Sequence, residues 1–351
     1  MRNTPSLDGP IAAPADPTVL PAARAGGRGA IEWRMLLRRR EVIVALILIV
    51  GSILFNFTHP VFLSGANIQS ILVNTAVVAT VSIGMTMIIV TGGIDVSVGS
   101  MLGLGMYVAV TLELGGHTLI VVMLACVGVG VLLGLFNGVM VAYGRIHPII
   151  VTLGMLNIIR AVQVKLLGRY ITAPPTTQGR DLALATFLGI PVPWWIAMVL
   201  AALATVFLTR RPLGRHIYAV GGNPEASRLS GINVRWVLIF CYAITGLLVG
   251  FASVIQLGLG GTVAASSGEN LELSAIAATV IGGTSILGGR GTVIGALLGA
   301  LLVESVHNGM IAIGSWSWIQ NFQLLDGLVI GGLIVLAVGL DVLQNRKATR
   351  V

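Results

Sequence analysis

The side chains that could do chemistry in this 351-residue chain are few and scattered. Neither of its two lysines, Lys165 and Lys347, follows a glycine-rich turn, so the P-loop pattern that binds nucleotide phosphates is missing. The closest approach to a zinc-protease helix is Glu304 with His307, which lacks a third ligand at helical spacing. The five histidines form no metal-binding pattern, and no serine lies in a G-x-S-x-G nucleophile elbow. These patterns argue against an enzyme, a metal site and a cofactor bound by this chain.

A second group of polar side chains lies inside long apolar runs, where amides and hydroxyls could contact a neutral solute. Arg160 is expected to face a partner or a water-filled path, because charge inside a membrane is costly. Glu304 and Asn308 share one helical face, and each amide, Gln163 among them, could instead bond a neighbouring helix. The candidates for a translocation path are Asn74, Asn137, Asn157, Arg160, Gln256, Glu304 and Asn308.

The stretch TGGIDVSVGS, residues 91–100, places a glycine pair and an aspartate between two apolar runs. It predicts a tight turn that includes Gly92, Gly93 and Gly99, since exposed backbone at membrane depth is tolerated only against protein or water. Asp95 is predicted to cap the helix that starts at Val96 by accepting a bond from a backbone N–H. Direct contact between Asp95 and a solute is the alternative.

Five arginines and a single acid, Glu225, occur in residues 210–235, between two apolar runs. A long basic loop in a membrane protein is expected on the cytoplasmic side. Asn223 is predicted to cap a short helix, Pro224 suits its first turn, and Gly231 is placed to end it. A short capped helix here predicts a docking element for a cytoplasmic partner; an ordinary charged loop is the alternative.

The composition indicates that the polar residues described above are held by many membrane-spanning segments. The chain is 56% hydrophobic and 10% charged, whereas soluble domains are about 25% charged. Its 46 glycines suit close helix packing in lipid. The net charge of +8 does not indicate nucleic acid binding, because the arginines are sorted by membrane side. Cys126 and Cys241 lie in apolar runs and are expected to be buried free thiols.

The apolar runs predict an all-α polytopic membrane protein with about ten transmembrane helices. A cytoplasmic N-terminus would leave 17 of the 21 basic residues on the cytoplasmic side, with both termini there. The predicted spans are 41–57, 68–90, 96–113, 118–142, 148–167, 192–209, 236–259, 270–287, 291–312 and 323–341.

Three regions follow from these spans. Residues 1–40 are predicted to be a disordered cytoplasmic N-terminus with a basic interfacial segment. Residues 41–341 would form the transmembrane domain, and residues 342–351 a cytoplasmic tail. An internal repeat is also present: FNGVM at 136–140 matches HNGMI at 307–311. Because five spans separate the two motifs, the match predicts a five-plus-five inverted repeat.

Three stretches resemble a known family. Glu225, Ala226 and Ser227, followed by Gly231, resemble the E-A-A-x-x-x-G coupling motif of ABC importer permeases, with serine replacing the second alanine. The longer string GRHIYAVGGNPEASRLSGI is similar to the same loop in ribose-type monosaccharide permeases. TGGIDVSVGS and residues 271–302 are also similar to that family, and the resemblance covers most of residues 62–341.

The resemblance implies a permease subunit in a bacterial inner membrane. It implies a second permease subunit, a cytoplasmic ABC ATPase that uses ATP, and a periplasmic sugar-binding protein. Alternating access would follow, with Glu225–Gly231 passing the ATPase stroke to the helices. Two rivals stay open: a branched-chain amino acid permease, and a self-sufficient secondary carrier with Asp95 or Glu304 as its ion site.

Overall fold

The computed structural model describes residues 40–168, 170–173 and 177–314, with isolated helical positions between 328 and 339. The predicted N-terminal segment up to residue 39 and the predicted tail at 342–351 lie outside the described residues. The tenth predicted span, 323–341, also lies outside them apart from those isolated positions.

The described part of the chain consists almost entirely of helices, as the apolar runs predict. The helices are α1 (Arg40–Thr58), α2 (Gly65–Val90), α3 (Val98–Leu114), α4 (Leu119–Ala142), α5 (Pro148–Leu167), α6 (Gln178–Leu184), α7 (Val192–Arg210), α8 (Pro212–Gly222), α9 (Pro224–Leu229), α10 (Val234–Gly260), α11 (Leu271–Ile281) and α12 (Val293–Gly314). Short strands β1 (Tyr170–Thr172) and β4 (Thr262–Ala264) pair antiparallel, as do β2 (Thr186–Phe187) and β3 (Ile190–Pro191).

The first nine predicted spans each coincide with a helix, but two of these helices are short. Seven helices in the described residues are long and apolar enough to cross a membrane: α1, α2, α4, α5, α7, α10 and α12. The apolar helices α3 and α11 have only 17 and 11 residues. At 1.5 Å per residue, α11 is about 17 Å long, short of the ~30 Å hydrocarbon core.

The predicted end of the eighth span, residue 287, is wrong. Helix α11 stops at Ile281 because two glycines follow, and the second of them has a backbone conformation that a helix cannot continue. Gly282 packs against the backbone at Gly295, and Gly283 has a φ of 99°. The chain therefore turns six residues before the predicted end.

The helix order supports the predicted five-plus-five repeat. Helices α1 to α4 have 19, 26, 17 and 24 residues, and their counterparts α7, α10, α11 and α12 have 19, 27, 11 and 22. The packing of α4 on α10 recurs as α12 on α2. Gly99 at the start of α3 and Gly268 shortly before α11 pack backbone to backbone. The two shortened helices thus occupy corresponding positions in the two halves.

A glycine-lined seam joins α4 to α10. Gly130, Gly134 and Gly138 of α4 face the backbone of α10 so closely that a Cβ at Gly134 would collide with the carbonyl of Tyr242. The two helices therefore touch backbone to backbone, the arrangement that small residues permit between helices in lipid. Helix α2 is buried without interruption from Thr75 to Val90, which makes it the central helix of the bundle.

Two ends of this bundle matter for function. At the loop end lie the last residue of α2, the first residue of α10, and residues 210–233 between α7 and α10. At the opposite end lie the first turns of α2, the last turn of α10 and residues 261–270, hereafter the wall loop. The wall loop contains β4 and connects α10 to α11.

Candidate translocation path and coupling loop

A cavity of about 690 Å³ lies at the opposite end, between α2, α3, α10, α11, α12 and the wall loop. Its volume is in the range of small-molecule sites. The two shortened helices, α3 and α11, both line it. In transporters built from inverted repeats, solute sites form at such interrupted helices. Its polar lining consists of amides and hydroxyls with two carboxylates and one imidazole: Ser70, Asn74, Gln256, Thr262, Ser267, Glu269, Asn270, Ser274, Glu304, His307 and Asn308.

Four of the seven predicted path residues line this cavity: Asn74, Gln256, Glu304 and Asn308. The Asn308 amide is held in place, because its Oδ1 accepts a bond of 2.9 Å from Nδ2 of Asn67. That bond links α12 to α2 across 241 residues of sequence. Sequence reasoning missed the polar residues of the wall loop, which carry no signal apart from their position between two apolar runs.

Asn137 lies at the loop end instead, fully buried in a polar cluster. Its Nδ2 donates to Oγ of Ser97 at 2.9 Å and to Oδ2 of Asp95 at 3.4 Å. Asn137 therefore fixes the 91–97 turn and is separated from the cavity. The repeat pairs Asn137 with Asn308, yet only Asn308 lines the cavity.

Asp95 accepts the predicted bond from a backbone N–H, but the helix begins two residues later than predicted, so Gly99 lies inside the helix and not in the turn. Its Oδ1 accepts bonds from the Ser97 backbone N–H at 2.9 Å and from the Ser97 hydroxyl at 2.6 Å. Helix α3 starts at Val98 rather than at Val96, so Asp95 closes an Asx turn that leads into the helix. Gly92 has a φ of 83°, and a Cβ at Gly93 would lie 3.1 Å from the Tyr242 hydroxyl.

The remaining two path candidates lie on α5. The Asn157 side chain is exposed on the outside of the chain, where its Nδ2 donates to the carbonyl of Leu153 at 2.9 Å. Arg160 points at the wall loop and donates to the carbonyls of Ala265 and Ser267. Both of these bonds go to the backbone of the cavity wall.

Helix α9 has the predicted caps at both ends. Oδ1 of Asn223 accepts a bond of 3.0 Å from the backbone N–H of Ala226. Gly231 has a φ of 83°; its N–H bonds the Arg228 carbonyl, and the next N–H bonds the Ser227 carbonyl, both at 3.0 Å. This pair of bonds is a Schellman motif, in which glycine accepts the left-handed conformation.

The predicted coupling residues differ in their solvent exposure. Glu225 and Ala226 are exposed, whereas Ser227 is buried. Glu225 pairs with Arg228 at 3.0 Å, but both side chains are largely solvated, so the pair adds little stability. Leu229 is 81% exposed, an unusual position for an apolar side chain in a polar loop. The outer face of α9 is available to a partner.

Helix α8, which sequence reasoning missed, joins α9 to the bundle. A Cβ at Gly221 would collide with the carbonyl of Val90, the last residue of α2, and would crowd the Gly289 backbone. The Tyr218 hydroxyl donates to the Gly291 carbonyl at 2.8 Å, and burial raises the pKa of this hydroxyl, which keeps it protonated. Pro212 at the start and the glycine pair at the end were its available sequence signals.

Comparison with known proteins decides the family. The family model described as "Branched-chain amino acid transport system / permease component" matches residues 67–338. The ribose import permease protein RbsC of Haemophilus influenzae is 37% identical over 308 residues, covering 85% of this chain and 92% of that protein. The chain belongs to the ribose-type family of ABC importer permeases. It is therefore a multi-pass membrane subunit of a transporter.

Other permeases of this family are similar over most of the chain. RbsC of Escherichia coli K12 is 35% identical over 325 residues, covering 92% of this chain and 98% of that protein. The galactose/methyl galactoside import permease protein MglC of Salmonella typhimurium is 31% identical over 332 residues, covering 89% of this chain and 96% of that protein. No solved structure matches. In this permease, the described residues contain no group of three or more His, Cys, Asp or Glu placed to hold a metal ion.

Proposed function

We propose that this permease forms the translocation path for a monosaccharide or a similar small polyol-like solute in an ATP-driven importer. The observation that carries the proposal is the lining of the cavity, where neutral amides and hydroxyls such as Asn74, Gln256 and Asn308 predominate. Such groups donate and accept hydrogen bonds without requiring a charged solute. The ribose and galactoside permeases among its relatives support the same substrate class.

The proposed partners follow from the two ends of the bundle. A cytoplasmic ABC ATPase would bind the exposed face of α9 around Glu225 and hydrolyse ATP, since this chain has no P-loop. A periplasmic sugar-binding protein would deliver the solute at the opposite end, and a second permease subunit would complete the path. In this arrangement the chain would lie in a bacterial inner membrane with both termini in the cytoplasm.

A route for coupling runs through α8. Displacement of α9 would be passed to α8, whose Gly221 touches both the end of α2 and the backbone at Gly289. The Tyr218 bond ties α8 to residues 282–292, which lead into α12. Because α2 and α12 both line the cavity, movement at the loop end would change the cavity's shape.

The test is uptake of radiolabelled ribose and galactose into proteoliposomes. We expect uptake only when the permease is reconstituted with its ATPase, its binding protein and ATP. Gln256→Leu, which removes an amide from the cavity, should reduce uptake, whereas Thr111→Val removes an exposed hydroxyl of α3 and should leave it unchanged.

Two outcomes would overturn the proposal. Sugar uptake by the permease alone, driven by an ion gradient, would identify a secondary carrier. ATP-dependent uptake of leucine with no uptake of either sugar would identify an amino acid permease.

A further inference from the structure

The wall loop faces the cavity on one side and α5 on the other. Thr262, Ser267 and Asn270 line the cavity, so this loop forms part of any surface that the solute meets. Strand β4 of the loop pairs with β1, and the Ala173 N–H donates to the Gly261 carbonyl at 2.8 Å. These bonds fix the start of the loop through Ala264 and leave residues 265–268 to be held by other contacts.

Two polar side chains of α5 hold that second half. Nη1 of Arg160 donates to the carbonyl of Ser267 at 2.7 Å and to that of Ala265 at 2.9 Å. Nε2 of Gln163, one turn along the same helix face, donates to the carbonyl of Ala264 at 3.1 Å. Gln163 is fully buried, and its Oε1 accepts a bond of 3.2 Å from Arg160. The two side chains are thus bonded to each other and together donate hydrogen bonds to three backbone carbonyls of the wall loop.

Helix α3 supports the same arrangement from another side. A Cβ at Gly103 would collide with the Ser267 carbonyl and would approach both polar atoms of the Gln163 side chain. A Cβ at Gly268 would collide with the carbonyl of Gly99. The wall loop therefore lies directly on the backbone of α3, at two glycines that leave room for it.

We propose that Arg160 and Gln163 are positioning residues for the transported solute, acting through the wall loop without touching the solute. The inference rests on the proposed function, because it assumes that the cavity is where the solute passes. By drawing three carbonyls toward α5, the pair sets the direction in which the loop presents Thr262, Ser267 and Asn270 to the cavity. An arginine inside a membrane span is costly, and the hydrogen bonds of this network offset part of that cost.

A consequence is that α5 and the wall loop move together. Shifting α5 alone would break three hydrogen bonds to the wall loop, two of them from a charged donor. A change in the cavity's shape during transport would therefore include α5, although α5 itself does not line the cavity.

The first test measures loop opening and does not depend on transport. Val263 is fully buried in β4, so Val263→Cys should react with a membrane-impermeant maleimide only when the loop opens. In nanodisc-reconstituted permease, adding Arg160→Met or Gln163→Leu should speed labelling about tenfold. Lys165→Gln, an exposed cation on the same helix, serves as the matched control and should leave the rate unchanged. The chain without the new cysteine reports the background from Cys126 and Cys241.

The second test measures uptake of ribose by the complete importer, per folded complex. Arg160→Met should reduce uptake several-fold, and Arg160→Lys, which keeps a charged donor, should restore part of it. Should Arg160→Met fail to fold, Arg160→Lys and Gln163→Leu carry both tests. Equal labelling rates in all variants, or a loss of folded yield with unchanged uptake per complex, would overturn the inference. A wild-type importer that carries no sugar would refute the proposed function and leave the labelling result standing.

Discussion

Replacing Gly231 by valine should separate ATP hydrolysis from uptake. Gly231 is the left-handed residue of the Schellman motif that ends α9, with a φ of 83°. A Cβ built there meets no atom of the described residues within 4 Å. The cost of adding a Cβ here is therefore backbone strain without steric collision, so the strain sets the size of the effect.

The strain amounts to about 1–2 kcal/mol for a residue with a Cβ in the left-handed region, and valine lies at the upper limit because it is β-branched. That cost falls on a helix of six residues with a single side-chain cap, so α9 cannot absorb it by repacking. Raising the free energy of the capped conformation by about 1.4 kcal/mol lowers the ratio of capped to uncapped α9 about tenfold. The membrane helices lie outside this motif, so insertion and folded yield should stay normal.

The assay compares ATP hydrolysed with sugar imported by the reconstituted importer. Gly231→Val should keep most of the ATPase activity and lose most of the uptake. Gly231→Asn should retain uptake, because asparagine tolerates the left-handed region better than other residues with a Cβ. Gly222→Ala is the matched control: its Cβ also meets no described atom within 4 Å, and its φ is not positive. Wild-type uptake in Gly231→Val would refute the assignment of α9 as the coupling element.

Three further predictions concern the rest of the permease. Asp95→Asn keeps the acceptor for Ser97 and should cost about 1 kcal/mol, whereas Asp95→Leu should lower the yield of folded protein; normal yield with lost uptake in the Asn variant would instead indicate an ion site. Gly134→Leu should prevent folding by forcing α4 away from α10, and Gly128→Leu, at a position open to its described surroundings, should be tolerated; equal melting temperatures would contradict the seam. A cysteine within residues 168–191 should label from the periplasm, and one at Ala226, the exposed neighbour of the buried Ser227, only from the cytoplasmic side of an intact membrane; labelling of both from one side would discard the topology.

Features that depend on neighbouring residues could be predicted from the sequence. The caps of α9 follow from Asn223 and Gly231 alone, because each acts on backbone groups within four residues. The first nine spans follow from hydrophobicity, because each is a continuous apolar run in the sequence. The end of α11 was missed because Ile286 and Leu287 carry apolar character beyond the glycine pair, and the close packing of Gly282 on Gly295 is a contact with the next helix that the sequence does not display.

The site depends on contacts that the sequence does not display. Asn137 and Asn308 have matching sequence surroundings, yet one fixes a buried turn and the other lines the cavity. Asn157 and Arg160, one turn apart on α5, point to the outside and to the wall loop respectively. The neighbouring sequence does not distinguish the members of each pair, because the role of each side chain depends on which helix packs beside it.

The glycine seam gives α10 a mechanical property beyond close packing. With 27 residues, α10 is about 40 Å long, and it runs from residues 210–233 at the loop end to the wall loop at the opposite end. Since α4 and α10 touch through their backbones, there are few side chains between them to change rotamer and absorb a displacement. The pair should tilt as one rigid rod. A rotation of about 5° at the loop end would carry the far end through about 3–4 Å, comparable to the width of a hydroxyl group and its hydrogen bond.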